Sequence, residues 1–232
     1  MRGENCLTNF NDIKGFIFDL DGVIALTSKY HSQAWHQIAD ELDATWTKSL
    51  EDGLKGISRM DSLEMILKAG NKENDYTEEE KIKLAAKKND NYLALIGNMN
   101  NDDLLPGIPE FLEDLMAHNY KICLASASKN SSIILKKLNL ARYFPAVVDP
   151  SKLKKGKPDP EIYIRGAELL NLKPEECIGI EDAAAGIQSI NGAGETSIGI
   201  GDTQELSAAD ILFSSTKDMT LANIEAAMKV NA

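Results

Sequence analysis

Six short apolar runs, separated by stretches long enough for a helix, constrain this chain more than any other feature of it. The first is GFIFDL at residues 15–20. The others are KICLA at 121–125, residues 146–148, CIGI at 177–180, TSIGI at 196–200 and DILF at 210–213. Runs without polar alternation belong to strands buried on both faces, as in parallel sheets flanked by helices. Between them, helical periodicity predicts helices over 108–118, 131–139, 160–170, 184–191 and 219–229. This alternation predicts an α/β fold, a Rossmann-like doubly wound parallel sheet.

One stretch breaks the pattern. From Ser28 to about Asn101 helical periodicity continues, at 30–42, 58–69 and through the Glu/Lys-rich run 77–96, with no convincing strand. The chain then returns through Leu105, Pro106 and Gly107. An all-helical insert after the first strand predicts a cap, residues 28–101, over a core of 1–27 and 102–232. Ligands of such sheets bind beyond the carboxyl ends of the strands, which places the cap over the site. The Lys87-Lys88 pair within the insert is also what a solvated helix face would carry.

The length, 232 residues, suffices for one large core or a core with a smaller accessory domain. A formal charge of −11 argues against a nucleic-acid partner, and it requires any anion site to be locally basic. The three cysteines, Cys6, Cys123 and Cys177, form no CxxC pair, which fits a reducing cytoplasm. Residues 1–12 lack the apolar region of a signal peptide. No apolar stretch approaches the roughly 18 residues of a membrane span. A cytoplasmic monomer is expected, with no membrane or nucleic-acid partner.

Chemistry concentrates at strand ends. Asp19-Leu20-Asp21-Gly22 closes the first apolar run; residues two apart in a strand face the same side, so both acids can meet one ligand. Such a pair stays ionised only with a compensating cation, and few, all-oxygen ligands favour Mg2+. Ser126-Ala127-Ser128-Lys129-Asn130 follows the second run and opens a helix, an arrangement suited to phosphate or equally to an ordinary N-cap. Lys157-Pro158-Asp159-Pro160 fixes a lysine before a helix, or is a plain loop with a proline-started helix. Glu181-Asp182 ends the CIGI run, with Gly186 close behind. It completes a metal shell, or is an acid pair favoured by the helix dipole.

Four such signals on one rim resemble the haloacid dehalogenase superfamily over nearly the whole chain. The resemblance implies that Asp19 is the nucleophile and Asp21 the general acid/base. It matches Ser126 to the phosphate-binding serine, Lys157 to the lysine of the third motif, and Glu181 and Asp182 to the metal-binding acids. Within the superfamily, LKGISRMDSL at 54–63, KKNDNY at 87–92, ASASKN at 125–130 and Thr27…His31…Trp35 resemble the β-phosphoglucomutases. That implies interconversion of β-glucose 1-phosphate and glucose 6-phosphate through glucose 1,6-bisphosphate. The implied Mg2+ site is Asp19, Asp21 (through its carbonyl), Glu181 and Asp182. Arg59, Ser128, Lys129 and Asn130 are implied to hold the phosphate that is not transferred, and Thr27, His31, Lys88 and Asn89 to couple cap closure to Asp21. Trp35, Gly56, Ser62 and Ala127 complete the implied substrate site. His31 also has a reading as a helix-surface histidine, and Trp35 as a packing residue. A phosphatase of the same superfamily would share all four motifs.

Two positions depart from the family pattern. Leu26 stands where an aspartate is common, with Ala25 before it where a polar residue is common, and Ala183 stands where serine is frequent.

Overall fold

The structure, a computed structural model, describes residues 9–230. Cys6 and the rest of residues 1–8, on which part of the reading of the N-terminus rests, lie outside it. Six strands form one parallel sheet: β1 Gly15–Phe18, β2 Lys121–Leu124, β3 Ala146–Val147, β4 Cys177–Glu181, β5 Thr196–Ile200 and β6 Ile211–Phe213. Every apolar run yields a strand, its ends within two residues of those expected. The order is β3-β2-β1-β4-β5-β6. The chain winds outward from β1 through β2 to β3, then crosses back to β4 and winds the other way. The crevice above the β1/β4 switch is where doubly wound sheets bind ligands.

The core helices are α5 Ile108–Ala117, α6 Ser131–Lys137, α7 Glu161–Leu170, α8 Ala184–Ala193 and α9 Leu221–Val230. They cover both sheet faces, which explains why β1 carries no polar alternation. Phe16 and Phe18 enter one core, edge-on to Phe111 and Phe144 at ring-centroid distances of 5.7 and 5.9 Å. Ile17, pointing the opposite way, enters the other core with Tyr163, Ile187 and Ile190. Each such side chain contributes roughly 1.5–3 kcal/mol by leaving water.

Four helices follow β1: α1 Ser28–Glu41, α2 Lys48–Gly53, α3 Arg59–Ala69 and α4 Glu78–Leu95. They form a cap around their own core of Trp35, Ile38, Leu42, Leu50, Leu63, Ile66 and Leu67. Their starts follow from local chemistry. Thr47 accepts from the Leu50 N–H at 3.1 Å, Ser58 from Asp61 at 3.2 Å, and Thr77 with Glu80 makes a reciprocal capping box. The short helix α2 was not expected, since six residues carry too little period to register. Lys87 and Lys88 behave differently. Lys87 is exposed and 2.7 Å from Glu41, as on a solvated face, whereas Lys88 is 3% exposed and belongs to the inward stripe Lys81, Ala85, Lys88, Tyr92. The solvated-face reading fails for Lys88.

The two crossings between cap and core run side by side. Ala25 bridges Leu104 antiparallel, the Leu26 N–H donates to Asp103 O at 2.7 Å, and the Leu105 N–H donates to Ile24 O at 3.0 Å.

Candidate active site

The end of β1 delivers Asp19 into the crevice. Its backbone N–H still continues the ladder to Ile180 O, so the carboxylate is held by the sheet itself. Asp19 Oδ1 lies 2.6 Å from Lys157 Nζ, and Oδ2 accepts the Asp21 N–H at 2.8 Å. Lys157 is buried and also reaches Glu181 Oε1 at 2.5 Å and the Ala125 carbonyl at 3.0 Å. One ammonium therefore ties together the ends of β1, β2 and β4, and a plain loop does not describe residues 157–160. Burial alone would lower the Lys157 pKa, but Asp19 and Glu181 more than offset it and hold it above the ordinary lysine value. Burial likewise raises the carboxyl pKa of Asp19 and Glu181, with Lys157 opposing, and pushes Asp182 well up with its acidic neighbours reinforcing.

Glu181 is fully committed. Oε1 takes Lys157 and the Tyr163 hydroxyl (3.2 Å), and Oε2 takes the N–H groups of Asp182 (3.1 Å) and Ala183 (3.2 Å). A Cβ on Gly186 would stand 1.9 Å from the Glu181 carboxyl carbon, so this glycine makes room for the acid at the start of α8. Ala183 begins α8 with no side-chain cap, and the N–H groups that Glu181 takes are those of Asp182 and Ala183, just ahead of the helix. The helix-terminus reading thus accounts for Glu181 but not for Asp182. Among the described residues no hydrogen bond reaches the Asp182 carboxylate. Asp182 Oδ2 fills the space a Cβ of Gly22 would need, 1.9 Å away, and Gly22 has φ +75°. Ligand oxygens of Asp19, Glu181 and Asp182 lie within 4.8 Å of one another. Hard oxygen donors converging beside a second acid, Asp21, with Asp182 otherwise unpartnered, fit a divalent cation.

Asp21 turns toward the hinge. Its Oδ1 accepts a short hydrogen bond from the Thr27 hydroxyl, and its Oδ2 lies 3.7 Å from His31 Nε2. Burial raises its pKa, with the Thr27 bond opposing. His31 Nδ1 is 2.7 Å from Lys88 Nζ, and the ring stacks on Tyr92 at 4.0 Å. Lys88 also stands 4.9 Å from the ring centres of Trp35 and Tyr92. Burial, then Arg59, pushes the Lys88 pKa down to about 7 against the pull of Asp21. A charged lysine can only donate, so Nδ1 then accepts and the His31 proton lies on Nε2, facing Asp21. Burial, Lys88 and Arg59 all lower the His31 pKa. His31 is not a surface histidine, and Trp35 both packs in the cap core and lines the site.

The serine-rich turn after β2 winds on itself. Ser126 Oγ accepts the Ser128 N–H at 3.1 Å, and Ser128 Oγ accepts the Asn130 N–H at 3.3 Å. Asn130 begins α6 without capping it through its side chain. Its amide instead crosses to the cap and donates to Asn89 Oδ1 at 2.8 Å, the oxygen that also accepts from Arg59 Nη2 at 2.7 Å. The ordinary N-cap reading fails there.

A cavity of about 1280 Å³ separates cap from core. Its wall includes Asp19, Asp21, His31, Trp35, Gly56, Arg59, Ser62, Lys88, Ala127, Ser128, Lys129, Lys157 and Asp182. Thr27, Asn89, Ser126, Asn130 and Glu181 stand behind that wall, bonded to residues on it or beside it. Ser62 spends its hydroxyl on the Ser58 carbonyl. Sequence reasoning missed Tyr163, which resembles any apolar-face helix residue, and the hydrogen-bonded wall pair Ser32 and Glu51. It also missed Lys154 and Lys155 on the wall, although a basic KLKKGK run at 152–157 in an acidic chain was a usable signal.

A family model described as haloacid dehalogenase-like hydrolase matches residues 13–194. The β-phosphoglucomutase of Bacillus subtilis (strain 168) is 46% identical over 209 residues, covering 90% of this chain and 92% of that protein. The phosphorylated carbohydrates phosphatase of Thermotoga maritima is 28% identical over 184 residues, 78% of this chain and 82% of that protein. The crystal structure of β-phosphoglucomutase from Clostridium difficile matches with a TM-score of 0.91 at 42% identity, covering 94% of this chain and 98% of that one.

Proposed function

Because this chain belongs to the haloacid dehalogenase-like hydrolase family, we propose that it is an enzyme that interconverts β-D-glucose 1-phosphate and D-glucose 6-phosphate. The observation that supports this reading beyond phosphate release is a second cluster of hydrogen-bond donors, away from Asp19, that suits an anion. Arg59 from the cap and Asn130 from the core converge on one oxygen, that of Asn89, apart from Lys157 at Asp19. An enzyme that only removes phosphate has no need of it, whereas a mutase must grip a sugar carrying phosphate at both ends.

The Asp19 carboxylate attacks phosphorus, and the bond from phosphorus to the sugar oxygen breaks, leaving an aspartyl phosphate. Asp21 gives its proton to the departing sugar oxygen, then takes one from the hydroxyl that attacks the aspartyl phosphate in return. Lys157, already paired with Asp19, meets the charge of the transferring group together with Ser126. Asp19, Asp182 and the carbonyl of Asp21, with Glu181 alongside, would hold Mg2+, which would supply further positive charge at that group. β-Glucose 1,6-bisphosphate is the intermediate, and it turns round so that each phosphate visits Asp19. Arg59, Ser128, Lys129 and Asn130 hold the other phosphate, and Trp35, Gly56, Ser62 and Ala127 bound the sugar. Thr27, His31, Lys88 and Asn89 tie Asp21 to closure of the cap, residues 28–101, over the core of 1–27 and 102–232. Closure excludes water from the aspartyl phosphate. The same reading makes the enzyme a cytoplasmic monomer; the buried thiols of Cys123 and Cys177 suit a reducing compartment. Among the described residues no helix is long and apolar enough to cross a membrane.

The test supplies β-glucose 1-phosphate with a trace of bisphosphate and follows glucose 6-phosphate and free phosphate together. Glucose 6-phosphate is expected to dominate, and Arg59→Ala to lose mutase activity by roughly 2–5 kcal/mol while slow phosphoenzyme hydrolysis persists. Release of free phosphate alone by the wild type makes it a phosphatase instead.

A further inference from the structure

The crossings between cap and core are joined by a carboxylate that the chemistry above does not use. Asp103, in the second crossing, is 6% exposed. Its Oδ1 accepts from Lys29 Nζ at 2.7 Å and from the Tyr30 hydroxyl at 3.0 Å, both in the first turn of α1. Its Oδ2 accepts the Asn100 N–H at 3.1 Å, and its main-chain oxygen accepts the Leu26 N–H at 2.7 Å. One residue therefore holds its own crossing, the other crossing and the helix that the other crossing enters.

That helix lacks an anchor of its own. Thr27 begins α1 but does not cap it with its side chain, and its hydroxyl is turned to donate to Asp21 and the Ala25 carbonyl. An uncapped first turn takes its orientation from other contacts. The turn matters because Thr27 and His31, which face Asp21, bracket the Lys29 and Tyr30 that Asp103 grips. Leu26, where a carboxylate is common in the family, is 43% exposed and offers this turn only its backbone.

We propose that Asp103 is a positioning residue, a latch across the two crossings that keeps the first turn of α1 in register with Asp21. It touches no reacting atom and acts through Thr27 and His31. Loosening it lets these side chains drift from Asp21, so the acid/base carboxylate meets the sugar oxygen less often while water still reaches the aspartyl phosphate. The proposal rests on the mutase reading.

The test is the partition of the phosphoenzyme between sugar and water, measured with melting temperature for Asp103→Asn, Lys29→Met and the double variant Asp103→Asn/Leu26→Asp. Wild-type partition toward the sugar establishes the mutase reading first; its absence counts against that reading and not against the latch. Given it, Asp103→Asn is expected to shift partition toward water by about tenfold, the scale of one charge-assisted hydrogen bond. Lys29→Met, which leaves the ribbon of crossings intact, is expected to shift it the same way. Leu26→Asp returns one carboxylate to the paired crossings, at the residue that precedes Thr27 and α1, and is expected to recover partition to within about threefold of wild type. A partition unchanged within twofold in Asp103→Asn overturns the latch. So does a loss that Leu26→Asp fails to recover, which would assign the effect to the ribbon's fold.

Discussion

Asn130, at the head of α6 in the core, donates a 2.8 Å hydrogen bond to Asn89 on cap helix α4, and the accepting oxygen is shared with Arg59. This amide oxygen clasps cap to core with the same two donors that a phosphate at this end would take. Asn89→Ala removes the clasp and the oxygen that aims Arg59 and Asn130 at one point, so an incoming phosphate must order both donors and the cap itself. The KM for β-glucose 1-phosphate is expected to rise by about 3–10-fold, the scale of one or two half-buried hydrogen bonds, with a smaller change in kcat. An unchanged KM in steady-state assays would count against the clasp.

Asp19→Asn is nearly isosteric but cannot attack phosphorus. Turnover is expected to fall by roughly four orders of magnitude. The fold survives, because Lys157 keeps Glu181 and Ala125 as partners. Acid-quenched labelling with phosphorus-32 should find no phosphoenzyme. Appreciable labelling in the pure variant would remove Asp19 from its role.

Asp182 and Lys157 separate metal binding from folding. Asp182→Ala takes the half-buried member from a cluster of mutually repelling acids, so the melting temperature is expected to hold or rise while Mg2+ affinity, by calorimetry, falls. Lys157→Met leaves Asp19 and Glu181 buried without their shared cation, and is expected to cost about 3–5 kcal/mol of stability by urea titration. Equal melting temperatures for the two variants would contradict this assignment.

Lys88 predicts a pH effect of defined sign. Its folded pKa of about 7 lies below the ordinary lysine value of 10.5, so the folded protein holds fewer protons than the unfolded chain between those values. Its contribution to stability is present above that window and is lost as pH falls through about 7. Lys88→Met should flatten this slope and stabilise the protein near pH 6, measured by urea titration across pH. His31, Arg59 and Asp21 are the charged or titratable groups that act on Lys88. A slope unchanged in the variant would assign it to one of those.

Glu195 is 3% exposed, and neither carboxyl oxygen has a hydrogen-bond partner. Burial lifts its pKa well above 4.5, so the folded protein holds the extra proton and stability falls as pH rises from that value toward the folded pKa. Cys123, Cys177 and Tyr163, themselves buried, are the titratable groups that feel it. Glu195→Met is expected to stabilise by about 1–3 kcal/mol, more at pH 8 than at pH 5, without changing kcat. A destabilised variant would show that the carboxyl has a partner.

The doubly wound sheet and the placement of the acids on one rim were legible in the amino-acid sequence because their causes are local. The end of an apolar strand carries Asp19 into the crevice, glycine at position 22 meets a positive φ, and Ser, Thr and Glu at helix starts supply their own caps. The short α2 escaped because local period needs length. What only the tertiary structure decided are the partnerships across long stretches of chain: Lys157 with Asp19, 138 residues away, Asn89 with Arg59 and Asn130, and Asp103 with the start of α1. The same holds for Lys88, which sequence composition allowed on a solvated face and which packing turned inward between two aromatic rings. A local pattern sets which way a side chain leaves its own helix or strand. Which partner it meets, and how far burial moves its pKa, depends on how the cap closes on the core.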